Sequence, residues 1–111
     1  MAALIQRYDR LPKEIEACRL EARKQSDRVS ELERDYKVAM AKELAALLGQ
    51  RDAHWRKVQA EANLADQAYE IEQTKNLKAS AWKAWKERLE QLDTIEAMAH
   101  AYNRELRELG G

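Results

Sequence analysis

The chain is poor in the residues that interrupt helices. Three of its 111 residues are glycine, one is proline, and phenylalanine is missing altogether. So few turn formers leave no room for the short strands and tight turns of a β-rich fold. A single cysteine, Cys18, excludes an internal disulfide. Neither sign of charge prevails: twenty Lys and Arg offset twenty Asp and Glu. There is thus no global field to gather nucleic acid or an anionic membrane. The longest apolar runs, Met1 to Ile5 and Leu44 to Leu48, are far short of the roughly 18 residues that a membrane-spanning helix needs. The amino end carries no basic stretch followed by an apolar core, and a cytoplasmic location is the expectation. What is abundant is apolar and charged side chains, 45 % and 36 % of the residues. That is the mixture of long amphipathic helices, in a chain of single-domain length.

The scarce punctuation residues divide the chain. Pro12 suits the first turn of a helix, where its missing N–H would have had no partner, and Glu14 and Glu16 complement the positive end of the helix dipole. A first long helix is therefore expected over 12–48, preceded by an N-terminal arm, 1–11, whose Leu4 and Tyr8 form a short helix kinking at the proline. Gly49 offers a left-handed stop, residues 49–52 form the turn, and Asp52 is an N-cap candidate. A second long helix is expected over 53–109, stopped by Gly110-Gly111. Near 70–78, where Ile71 and Leu77 are the apolar residues present, it is expected to be most exposed, bent or broken.

Apolar spacing supports both helices. Leu4, Tyr8, Leu11, Ile15, Cys18, Ala22, Val29, Leu32, Tyr36 and Ala39 advance in steps of three and four, with Gln25 as the polar tenant, before slipping to Met40, Leu44 and Leu47. On the second helix the pattern is Trp55, Val58, Ala62, Ala65 and Tyr69. It resumes with Trp82, Trp85, Leu89, Leu92, Ile95, Met98 or Ala99, Tyr102 and Leu106. A short turn between two such helices predicts an all-α, long antiparallel helical hairpin, coiled-coil-like, in which position i faces roughly position 101 minus i. The turns from Leu92 to Leu109 outrun the first helix and need either residues 1–11 or a second copy to cover them. A hairpin with one seam is marginal alone, which leads to the expectation of a homodimer packed as a helical bundle.

No nucleotide, zinc-hydrolase or redox motif occurs. His54 and His100 stand too far apart in a hairpin to share a metal or a proton, and Cys18 reads as a small core residue. The expectation is a non-enzyme without cofactor or metal. Lys75, Lys78, Lys83, Lys86 and Arg88 surround Trp82 and Trp85, and cations interleaved with aromatics suit single-stranded nucleic acid. The same tryptophans continue a 3-4-3 series into Leu89 and Leu92, as a packed seam does, with lysine stems lying over it. Nucleic-acid binding is therefore the disfavoured alternative, and Trp82 or Trp85 is a candidate anchor for a protein partner. Upstream, Glu61, Asp66, Glu70 and Glu72 form an acidic strip. It reads as a solvated face more readily than as a mimic of a phosphate backbone, and its passage into the basic segment favours antiparallel pairing.

Three segments together carry a resemblance: Tyr36-Lys37-Val38-Ala39-Met40-Ala41-Lys42-Glu43, the turn from Gly49 to Asp52, and the run from Ala62 through Ala68-Tyr69 to Trp85-Lys86-Glu87-Arg88-Leu89-Glu90-Gln91-Leu92. Over residues 35–106 the chain resembles a widespread group of small helical phage and prophage proteins, often encoded near single-strand annealing recombinases and single-strand DNA-binding proteins. It departs from the group where Ile95-Glu96-Ala97-Met98 replaces an arginine-centred segment. The resemblance implies a bacteriophage origin, a bacterial host cytoplasm and an accessory part in recombination, and it assigns no catalytic residue. The expected function is protein–protein interaction, with a phage recombination factor or a host defence effector such as a CRISPR nuclease as partner. A structural oligomerisation component is a further alternative.

Overall fold

The computed structural model describes residues 2–110, apart from the side chains of Ala2 and Leu4. The seam position expected at Leu4 and the stop expected at Gly111 lie outside the described residues. The fold is an all-α helical hairpin. Helix α1 spans Ala2–Ala46, α2 spans Ala53–Asn63 and α3 spans Ala65–Gly110. No helix among the described residues is long and apolar enough to cross a membrane.

Pro12 lies inside α1 rather than at its start. The described residues of the expected arm, 2–11, and the helix expected from residue 12 are thus one element. Contacts tie the turns before the proline to the rest of the fold. Arg7 donates to Glu14 across Pro12 at 2.8 Å and also to Gln91 on α3, while the adjacent Leu11 is fully buried. At the other end the connection is built much as its residues imply. Gly49 takes a left-handed φ of 85°, and the Asp52 carboxylate accepts the Trp55 backbone N–H at 2.7 Å as an N-cap. Arg51 also takes a positive φ, 48°. Its carbonyl and that of Gln50 accept from the Arg56 guanidinium at 2.8 and 3.1 Å. The Arg51 guanidinium lies 5.2 Å from the centre of the Trp55 ring, a cation–π contact that holds the turn.

The interruption expected near 70–78 is not there. It falls at Leu64, whose φ and ψ of −106° and 13° leave the helical region while its N–H still reaches the carbonyls of Ala60 and Glu61. Asn63, beside it, donates to Glu43 of α1 at 3.0 Å. The 70–78 stretch stays helical because it supplies the seam: Ile71 and Thr74 are both buried. The Thr74 hydroxyl is satisfied by the Glu70 carbonyl at 2.8 Å within its own helix, so its burial leaves no orphan polar group.

The packing divides into two units. The first takes the described residues of Met1–Ala22 and Ser80–Gly111. Leu11, Ala22 and Ile95 are buried in it, with Ile15, Cys18, Trp85, Leu89 and Leu92 half-buried beside them. Tyr8, expected in the seam, is 44 % exposed, and the half-buried Arg7 takes the inward place. The second unit takes Arg23–Ala79. There Val29, Ala60, Leu64, Ile71 and Thr74 are buried, with Leu32, Tyr36, Ala39 and Met40 half-buried. Near the turn the seam continues through Glu43 and Leu47, while Leu44 is turned outward.

Antiparallel register follows from contacts inside each unit. Arg7 meets Gln91 and Glu14 meets Arg88 in the first. Arg28 meets Glu70, Glu33 meets Lys75 and Glu43 meets Asn63 in the second. Each pair lies within two helical turns of the 101-minus-i rule. One correction is larger. On α2 and the start of α3 the inward face carries Ala60, Leu64 and Ile71. The series Val58, Ala62, Ala65 and Tyr69, expected in the seam, is exposed.

Candidate functional site

The basic and aromatic cluster is dispersed by the fold. Within the second unit, the Lys75 ammonium lies 3.5 Å from Glu33 and 3.6 Å from Glu72, so two carboxylates answer its charge. Lys78 is half-buried at a seam position. Within the first unit, Arg88 is committed twice. Its Nε lies 3.4 Å from Glu14 and its Nη1 donates to the Ala84 carbonyl at 3.1 Å. Glu14 also accepts from Arg7, so one carboxylate is shared by two guanidinium groups. The Glu14 Oε2 and Arg88 Nε atoms that face each other are buried without a hydrogen bond, and their contact is ionic. Lys83 and Lys86 are exposed and free of carboxylate partners among the described residues.

The two tryptophans separate in role. Trp85 is half-buried with Leu89 and Leu92. Trp82, expected in the same seam, is 41 % exposed. Its ring meets Trp85 edge to face, with centroids 5.3 Å apart and planes at 85°. The reason is geometric. At about 100° per residue Trp82 sits at the edge of the face defined by Ala81, Trp85 and Leu92, and its indole leans on Trp85 instead of entering the seam. Of the expected basic surface, what remains open is one indole flanked by Lys86, with Lys83 further round the helix.

The acidic strip is also partly spent. All four carboxylates are exposed. Glu70 pairs with Arg28 at 3.1 Å and Glu72 with Lys75. Glu61 lies on α2 and Asp66 on α3, on opposite sides of the Leu64 interruption. Four carboxylates so divided make a solvated, ion-paired face.

The more continuous surfaces are apolar, and they face outward. In the second unit Val58 and Tyr69 are 49 % and 67 % exposed, and Ala62 and Ala65 lie open between them. On α1 of the same unit and the turn that follows it, Val38, Ala41, Ala45 and Leu48 form a comparable exposed series, with Leu48 at 77 %. Sequence reading missed this α1 stripe, although its 3-4-3 spacing was a visible signal. In the first unit an open groove of about 650 Å³ is lined by the apolar and aromatic residues Ile5, Tyr8, Ile95, Ala99 and Tyr102 together with the polar Glu96, His100 and Asn103. His54 and His100 are both exposed. No cluster of three or more His, Cys, Asp or Glu with metal-binding geometry occurs among the described residues.

Compared with known proteins, the chain matches no family model, no curated protein and no solved structure.

Proposed function

We propose that this chain is a non-enzymatic helical interaction protein of a phage or prophage. It would self-associate and present an apolar helical face to a protein partner, either a phage recombination factor or a host defence effector such as a CRISPR nuclease. The observation that carries the reading is the exposed stripe Val58, Ala62, Ala65 and Tyr69. Its spacing is that of a packing seam, yet the hairpin's own seam uses the other face of the same helices. A helix laid along such a stripe gains affinity from apolar anchors, and the flanking Glu61 and Asp66 bias the choice of partner by charge. The phage assignment rests on the sequence resemblance over residues 35–106.

The test is direct binding of the full chain to a purified phage annealing recombinase, to its single-strand DNA-binding protein and to a CRISPR nuclease. Replacing Tyr69 and Val58 by Glu should weaken the productive interaction at least about tenfold, the loss of one or two buried anchors. Binding that ignores both substitutions would refute the assignment of this face.

A second reading draws on the exposed edge of Trp82 beside Lys86 and Lys83, which suits weak stacking of a single-stranded nucleic acid. Titration with single-stranded DNA at low salt should quench tryptophan emission if this reading holds and leave it unchanged under the first. The cytoplasm of a bacterial host is the location that fits either reading.

A further inference from the structure

We infer that the carboxyl-terminal stripe of α3 is the self-association face, and that it pairs antiparallel with the same stripe of a second copy. This rests on the self-association reading above and adds the surface and its geometry. Within the first unit, Leu92 is half-buried and Ile95 is 9 % exposed. The same 3-4 rhythm then continues through Ala99, Tyr102, Leu106 and Leu109 while exposure rises to 45 %, 50 % and 86 % at the last three. A seam thus continues without the helix that would cover it. At about 100° per residue these side chains and Met98 keep to one face, and Ile5 and Tyr8 extend that face through the groove they share with Tyr102.

The area is at the top of what a monomer leaves open and approaches what an interface requires. Ile5, Tyr8, Met98, Tyr102, Leu106 and Leu109 each keep 44–86 % of their surface in solvent. At about 150–250 Å² for a large side chain, that is roughly 600 Å² of mainly apolar surface. A monomer's largest patch rarely exceeds about 300–600 Å², and each partner of a stable interface contributes about 800 Å². With a formal charge of zero, no long-range repulsion holds two copies apart.

The residue sizes select the occupant and its direction. In an antiparallel pairing with Ala99 opposite Tyr102 of the second copy, the two-fold axis places Tyr102 opposite Ala99 in the next layer, so large meets small twice. The outer layers then match Ile95 with Leu106 and Leu92 with Leu109. Beside the seam, Glu96 stands opposite Asn103 and Met98 opposite Glu105, so no like charges confront each other.

Sedimentation of the full chain at micromolar concentration should give a dimer. Tyr102→Glu with Leu106→Glu should weaken dimerisation at least about a hundredfold, with unchanged helical circular dichroism, whereas Tyr69→Glu should leave the dimer intact. Direction is read by mixing two single variants in a Cys18→Ser background, one carrying Glu96→Cys and the other Asn103→Cys. A short thiol cross-linker should join them as a heterodimer. A wild-type chain that stays monomeric overturns both this inference and the self-association reading. A wild-type dimer that survives Tyr102→Glu with Leu106→Glu overturns the face alone, and a dimer without the 96–103 cross-link overturns the antiparallel pairing.

Discussion

Pro12 gives the sharpest test of how the amino-terminal turns are built. It lies inside α1, eleven positions into the chain from its first residue. It cannot donate to the Tyr8 carbonyl, and its ring crowds the turn before it. Proline in a helix interior is about 3 kcal/mol less favourable than alanine. Pro12→Ala also frees the unfolded chain, returning about 0.4–1 kcal/mol to the other side. The expected net effect is a stabilisation of about 2 kcal/mol. It would appear in full because Leu11 is completely buried and Arg7 ties this segment to both Glu14 and Gln91, so the first turns unfold with the seam. Urea unfolding followed by circular dichroism reads it as a raised midpoint at unchanged slope. A helix that began at Pro12 would hold the proline in its first turn, where it is favoured, and alanine would then be neutral or destabilising. That outcome would refute a continuous α1.

Leu11→Ala should cost about 2–5 kcal/mol, since it truncates a side chain with no exposed surface, while Tyr69→Ala should stay within about 0.5 kcal/mol; urea midpoints compare them. Asp52→Ala removes the cap that accepts the Trp55 N–H and should cost about 1 kcal/mol in the same assay. A hydrogen bond from Arg19 lowers the titration of the Glu16 carboxyl below its ordinary value, against an opposing desolvation and with a smaller contribution from the positive charge of Arg19. A depressed carboxylate contributes above its unfolded pKa and loses that contribution as pH falls through the folded one. Carboxyl chemical shifts should therefore report Glu16 titrating low, and Arg19→Ala should return it to the ordinary range. A neutral quencher should reach Trp82 more readily than Trp85, as single-tryptophan variants would show.

The sequence exposed much of this architecture because α1 carries its seam in apolar residues from Leu11 to Ala39, and α3 does so from Trp85 to Ile95. The intervening half of the second arm was misread for a physical reason. Its inward positions include Thr74 and Lys78, a hydroxyl satisfied by its own helix and a stem half-buried under its charge. Meanwhile a more conspicuous apolar series, Val58 to Tyr69, has the same spacing on the outer face. Counting back in sevens from Ile95 and Leu92 would have found the inward face, since the steps pass through Ala81 and Thr74 and through Trp85, Lys78, Ile71 and Leu64. The basic cluster was legible as a composition but not as a surface, because Glu33 and Glu14, which pair with Lys75 and Arg88 across the hairpin, lie on α1, far away in the sequence.

The central claim is that α1 runs back antiparallel along the helices that follow the turn. Spin labels at residues 28 and 70, in a Cys18→Ser background, test it directly in the second unit. Arg28 and Glu70 touch at 3.1 Å, and paired helices lie with axes about 8–10 Å apart, so the labels should report a separation of roughly 10–20 Å. A distance near 60 Å, the rise of an uninterrupted helix over that interval at about 1.5 Å per residue, would contradict the hairpin.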